Sequence, residues 1–220
     1  MAVTTIRCLI FNPFVVLDSH LEQLLPALLT TVIGSRLSSS SAEDHWSLRS
    51  LAADVVASTC SKYRVSFPDL HSQVCQTYTG QLKSPGGASS TTLPVVYSSL
   101  YGCIVGLTAL GHTVTKTLLL TELAALEHKL FAVSPGFLFN SSNSSNKSNG
   151  NGGAEAYLER KRCLAALTIA VGKYIISSLR LYQSLPSSNR YIIKDWYATL
   201  TWFQGVSLGG MERIEKLRGI

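Results

Sequence analysis

The sequence predicts an all-α fold, a solenoid of antiparallel helix pairs. Three observations predict it. Apolar residues recur at helical spacing, three and four apart, through most of the 220 residues. Alternating β-branched runs joined by tight turns, the signature of strands, are missing. Prolines, glycines and polar breaks cut the periodic pattern into successive helix-sized runs.

The first run, Cys8–Leu17, follows Arg7 and is broken by Asn12-Pro13. With no small-x-small cleavage site after it, it reads as a helix entering a loop rather than an export signal. Leu17, Leu21, Leu24, Leu25, Leu28, Leu29, Val32 and Ile33 then form a wide apolar stripe with Pro26 inside it. A proline there removes one backbone hydrogen bond, so this helix is expected to bend. The next helix runs from Trp46 to about Tyr63, with Leu48, Leu51, Ala52, Val55, Val56 and Cys60 on one face. Ser66 and Pro68 mark another start, continued by Leu70, Val74, Cys75 and Tyr78.

A polar break at Lys83–Thr92 holds Pro85-Gly86-Gly87, and Pro94–Gly111 is the next helix, with Gly111 as its stop. Thr113 to about Phe131 is a further amphipathic run. A Ser/Asn/Gly-rich stretch at about 136–153 cannot bury apolar area and is expected to be a flexible surface loop. Ala154 to about Gln183 is a long helix ended by Pro186. Tyr191 to about Val206 is an aromatic segment compatible with a helix.

Composition bounds the function. Hydrophobic residues make up 46% and charged residues 15%, which supplies a core and excludes wholesale disorder. The length suits one generous domain at roughly 100–200 residues per domain, and residues 1–220 are read as a single domain. The net charge of +6 is uneven: residues 1–153 hold nine Lys+Arg against eight Asp+Glu, residues 154–220 ten against five. A basic face can meet phosphates or an acidic protein patch. Cys8, Cys60, Cys75, Cys103 and Cys163 are dispersed, without a C-x-x-C, as expected of free thiols in a reducing compartment. The apolar run Leu100–Gly111 is shorter than the roughly 20 residues needed to span a bilayer. A soluble intracellular protein without a membrane partner is expected.

Successive helix pairs suggest a repeat. Leu24-Leu25-Pro26-Ala27-Leu28-Leu29 fits the proline-bearing first helix of a HEAT-type pair. Asp44, with Leu48-Arg49, Ala52 and Val56, fits the second, where Asp and Arg can hydrogen-bond between layers. More specifically, Asn12-Pro13 with Leu21-Glu22-Gln23-Leu24-Leu25-Pro26-Ala27-Leu28-Leu29-Thr30 resembles the start of the C-terminal HEAT domain of subunit six of the transcription factor TFIID. Asp44-His45-Trp46-Ser47-Leu48-Arg49 is similar to that family's Asn/Asp-His-Trp-x-Leu-Arg signature. Tyr101-Gly102-Cys103-Ile104-Val105-Gly106-Leu107-Thr108-Ala109-Leu110-Gly111 resembles its Tyr-Gly-x-Ile-x-Gly-Leu block.

The resemblance covers about residues 6–123, with no clear motif after Ser134. It implies a nuclear, non-enzymatic scaffold domain of a general transcription initiation factor, supporting assembly of RNA polymerase II preinitiation complexes. Its implied partners are other TFIID subunits, those of a related coactivator complex, and a second copy of itself. The family's N-terminal histone fold is not found in these residues, so the pairing partner of that fold is not expected to bind here.

Catalytic chemistry finds no support. Gly205-Val206-Ser207-Leu208-Gly209 fits G-x-S-x-G, but only 13 residues follow Ser207 and none is His. His20, His45, His71, His112 and His128 show no i, i+4 pair, and His45 and His112 sit at apparent helix starts. No metal, cofactor or small-molecule substrate is expected. The structural or interaction candidates are Asp44, Trp46, Arg49, Gly102 and Gly106. Trp46 and Arg49 are read as a core residue and an inter-repeat hydrogen-bonder, and the two glycines as points where a neighbouring helix comes close. Arg160, Lys161, Arg162 and Lys194 form the basic candidate patch, read as a solvated helix edge. The alternatives kept open are a generic helical-repeat adaptor and a basic nucleic-acid-binding module.

Overall fold

A computed structural model of the chain describes residues 2–35, 37, 44–83, 97–131 and 152–184. Helix α1 spans Ala2–Phe11, and a 3-10 turn at Asp18–His20 leads into α2, Leu21–Ile33. Helices α3, His45–Lys62, and α4, Leu70–Lys83, follow, then α5, Tyr97–Ala109. A short α6, His112–Val114, runs through a π segment, Thr115–Leu119, and a 3-10 turn, Leu120–Glu122, into α7, Leu123–Phe131. The long α8 spans Gly152–Ser184. Every regular element among the described residues is helical, in agreement with the predicted class.

Side-chain bonds set the helix directions. Arg49, near the start of α3, reaches Val32 and Gly34 at the end of α2, while the Tyr63 hydroxyl just past the end of α3 receives the Leu17 amide ahead of α2. Helices α2 and α3 are therefore antiparallel. Gln81, late in α4, donates to Ser99, early in α5 (3.1 Å), so α4 and α5 are antiparallel as well. Ser50 of α3 and Tyr101 of α5 meet through their hydroxyls at 2.9 Å, which sets these turns of α3 and α5 side by side. The result is two stacked pairs, α2/α3 and α4/α5, with α5 packed against α2, α3 and α4. Each pair hides one face on its neighbour, as repeat stacking requires.

Local chemistry explains the element ends. Pro26 lies exposed in α2, on the side where the missing amide bond is left to solvent. Lys62, in the last turn of α3, donates to the carbonyls of Ile10 (2.8 Å) and Asn12 (3.3 Å), tying the free end of α1 to α3. Between α6 and α7, Thr115, Thr117 and Thr121 each return a hydroxyl bond to a carbonyl four residues back. The same back-bonds occur within the regular helices α2, α3, α4 and α5, so they accompany the π and 3-10 turns without setting them.

Two compact units are distinguished, Met1–Leu167 and Thr168–Ile220. The first contains the stacked pairs and the first half of α8. There Cys163 and Leu167 are fully buried, and the Cys163 thiol donates to the Tyr97 carbonyl at 3.1 Å. Helix α8 begins at Gly152, so the last two residues of the expected 136–153 loop are helical. The rest of that loop, the aromatic segment 191–206, the G-x-S-x-G at 205–209 and Lys194 lie outside the described residues.

Candidate functional site

The two pairs meet at the start of α3. Asp44 is the N-cap: its carboxylate accepts from the amides of Trp46 (3.2 Å) and Ser47 (3.3 Å) and from the Ser47 hydroxyl. These hydrogen bonds hold the Asp44 carboxyl below its usual value of 3.8. An aspartate here satisfies amides that the first helical turn leaves open. Asp44 therefore serves its own helix, not the neighbouring layer, and the expected Asp–Arg link between layers is replaced by two separate backbone contacts.

Arg49, one turn further on, is fully buried. Its Nη1 donates to the Val32 carbonyl at 2.7 Å and its Nη2 to the Gly34 carbonyl at 2.6 Å, while Nε donates to His45 Nδ1 at 3.3 Å. The end of α2 carries carbonyls without helical partners and the negative end of the helix dipole, so it suits a planar cationic fork. Burial lowers the guanidinium pKa to about 10, opposed by the Glu159 carboxylate. The group stays charged near neutrality. Arg49 thus acts within the α2/α3 pair, and not between repeats as the pattern suggested.

The second pair is fitted to the same carbonyl. A Cβ on Gly102 would stand 1.9 Å from the Val32 oxygen, so α5 can lie here only with a hydrogen at that position. Gly106, one turn on, faces another helix: its Cβ would fall 2.6 Å from the Tyr78 ring of α4. The two glycines therefore accommodate two different neighbours. Nearby, the Ser98 hydroxyl donates to the Ser35 carbonyl at 3.1 Å.

Trp46 is buried, its ring 4.9 Å from Tyr101 in an edge arrangement and 4.4 Å from His45. Arg162 of α8 also lies over the ring, its guanidinium carbon 5.0 Å from the ring centre. Arg160 stands 5.7 Å over Tyr157. Of the basic triplet, Lys161 and Arg162 are exposed and Arg160 is half-buried, so the helix edge is solvated but two of its cations lie over aromatic rings. The Arg162–Trp46 contact is invisible to sequence reasoning, because 116 residues separate the partners (162 − 46). Among the described residues, no three His, Cys, Asp or Glu side chains are grouped as metal ligands.

Residues 1–124, more than half of the chain, match the family described as the TAF6 C-terminal HEAT repeat domain. The chain belongs to this family. Three relatives give the match its context. The Arabidopsis thaliana transcription initiation factor TFIID subunit 6 is 31% identical over 182 residues, covering 83% of this chain and 30% of the relative. The Drosophila melanogaster TFIID subunit 6 is 28% identical over 126 residues, covering 57% and 20%. The Schizosaccharomyces pombe SAGA complex/transcription factor TFIID complex subunit Taf6 is 29% identical over 120 residues, covering 54% and 25%. The chain thus matches only 20–30% of the length of these relatives. Asp44, Arg49, Gly102 and Gly106 all lie inside the matched stretch, whereas α8 lies beyond it. A HEAT-repeat architecture follows for this chain from the family.

Proposed function

We propose that this TAF6 C-terminal domain is a non-enzymatic scaffold within a TFIID-like complex, where it holds neighbouring subunits during assembly of the preinitiation complex in the nucleus. One observation carries the reading: Arg49 ties α3 to α2 through the Val32 carbonyl, and Gly102 lets α5 of the second pair seat on that same carbonyl. A site built this way fixes the relative position of surfaces. The relative from fission yeast carries both complex names, which extends the proposal to a SAGA-type coactivator. Engagement of Arg160 and Arg162 with aromatic rings leaves Lys161 as the unstacked cation of the triplet and weakens the nucleic-acid reading.

The test is a tagged pull-down of residues 1–220 from nuclear extract, with mass spectrometry of the retained proteins. Enrichment of TFIID subunits by the wild type, and their loss with Arg49→Met under conditions where that variant is partly unfolded, is the expected outcome. Retention of no TFIID subunit by the folded domain would overturn the proposal. A nucleic-acid module would instead bind duplex DNA with affinity falling steeply as salt rises.

A further inference from the structure

One face of α8 within Thr168–Ser184 carries exposed isoleucines beside cations of one sign. Ile169 and Ile176 are 57% and 52% exposed. They stand seven residues apart, two helical turns, and so lie on one line along the helix. Gly172 lies between them, and a Cβ there would meet nothing within 4 Å. Lys173 and Arg180, also seven apart and exposed, run along one side of that line. Ala170, Val171 and Tyr174 on the opposite side are buried. In a heptad frame with Ile169 and Ile176 at position a, Gly172 and Leu179 occupy d, while Lys173 and Arg180 occupy e. An a/d seam accepts a second helix, and e-position cations choose its charge. The sign is uniform, because no Asp or Glu occurs between Glu159 and Asp195.

We propose that this face docks an acidic amphipathic helix of another protein, one with aliphatic residues on its contact line and carboxylates along its flanks. Charge complementarity selects this occupant. A second copy laid antiparallel would bring its cations against Lys173 and Arg180, and a parallel copy would set them against the apolar g position at Ile175. Nucleic acid would satisfy the cations but leave two isoleucines against phosphates or solvent. By length and composition Tyr157–Leu181 could cross a bilayer, but Lys173 falls within that span at a cost of roughly 2.5–3.5 kcal/mol near the bilayer centre. The inference rests on the scaffold reading for its biological setting, and its test is separate.

The probe is a labelled synthetic helix of roughly three heptads with Ile and Leu on its contact line and Glu at e and g, alongside a version with Lys in place of Glu. Binding to the 220-residue chain is followed by fluorescence anisotropy. The expected results are binding of the Glu helix, weakening with salt, and a loss of about tenfold or more for Ile169→Ser/Ile176→Ser, which keeps every charge. Lys173→Glu/Arg180→Glu should exchange the preference to the Lys helix, a gain that misfolding cannot produce. An unchanged affinity in the double serine variant would reduce the contact to general attraction and sink the proposal. So would equal binding of the Lys helix to the wild type. If the serine variant instead loses binding only to duplex DNA or to phosphatidylcholine–phosphatidylserine vesicles, the occupant is not a protein helix. Failure of the peptide alongside retained TFIID subunits removes the seam and leaves the scaffold role.

Discussion

Arg49 concentrates the residue-scale physics of this domain. A buried guanidinium is tolerable because two carbonyls and an imidazole nitrogen take its protons, and each such charged bond contributes roughly 1.5–3 kcal/mol. Arg49→Met keeps volume but leaves the carbonyls of Val32 and Gly34 without these donors. The expected loss is about 3 kcal/mol of unfolding free energy, within the range for breaking a buried charged contact, measured by urea denaturation. Tyr78 presents the opposite case. Its hydroxyl is buried without a hydrogen-bond partner among the described residues, and burial pushes its pKa far up. Tyr78→Phe is expected to be neutral or to stabilise by up to about 1–2 kcal/mol, and a clear loss in the same measurement would reveal a partner for the hydroxyl. Asp44 supplies a pH dependence. Its folded pKa lies below 3.8, so its contribution is present above 3.8 and disappears as pH falls through the folded value. Asn also caps helices well but does not titrate. The stability difference between wild type and Asp44→Asn should therefore be positive at pH 6 and shrink toward zero in acid, as read from paired unfolding curves.

At the scale of elements, glycine position decides sign. On α4, Gly80 faces open space, where a Cβ meets nothing within 4 Å. Gly80→Ala should stabilise the helix by roughly 0.5–1 kcal/mol. Gly102→Ala drives a methyl into the Val32 carbonyl, and because that atom is backbone, α2 and α5 must separate. A loss of about 3 kcal/mol or more is expected, with thermal melts reporting the opposite shifts of the two variants. Apolar periodicity locates α2, α3, α4 and the α6–α7 run, whereas the capping role of Asp44 is visible only in the structure. The π and 3-10 turns within Thr115–Glu122 were not readable, because periodicity registers the buried face and not which carbonyl each amide chooses.

For the whole molecule, the question is how the segment beyond the matched stretch is attached to the pairs. Within Met1–Leu167, α8 touches them through Arg162 on Trp46 and the Cys163 thiol on the Tyr97 carbonyl. Arg162→Glu removes the cation–π contact, worth roughly 0.5–1 kcal/mol at an exposed site, and sets a carboxylate near Asp44. Hydrogen exchange at 157–167 should accelerate by about two- to fivefold, the same energy expressed as a rate, while amides of α3 and α5 stay unchanged. Equal exchange in both proteins would show that the stack does not hold α8.

The helical class, the order of the helices and the family are legible in the residues alone, because helix periods are written within a few residues of one another and the motif blocks keep their order. What Arg49, Gly102 and Arg162 do depends on how distant segments pack. Their partners are Val32, Val32 and Trp46, chosen by the stacking of pairs and the docking of α8. A pattern of local spacing holds no information about which carbonyl or ring the fold will bring within 3–5 Å.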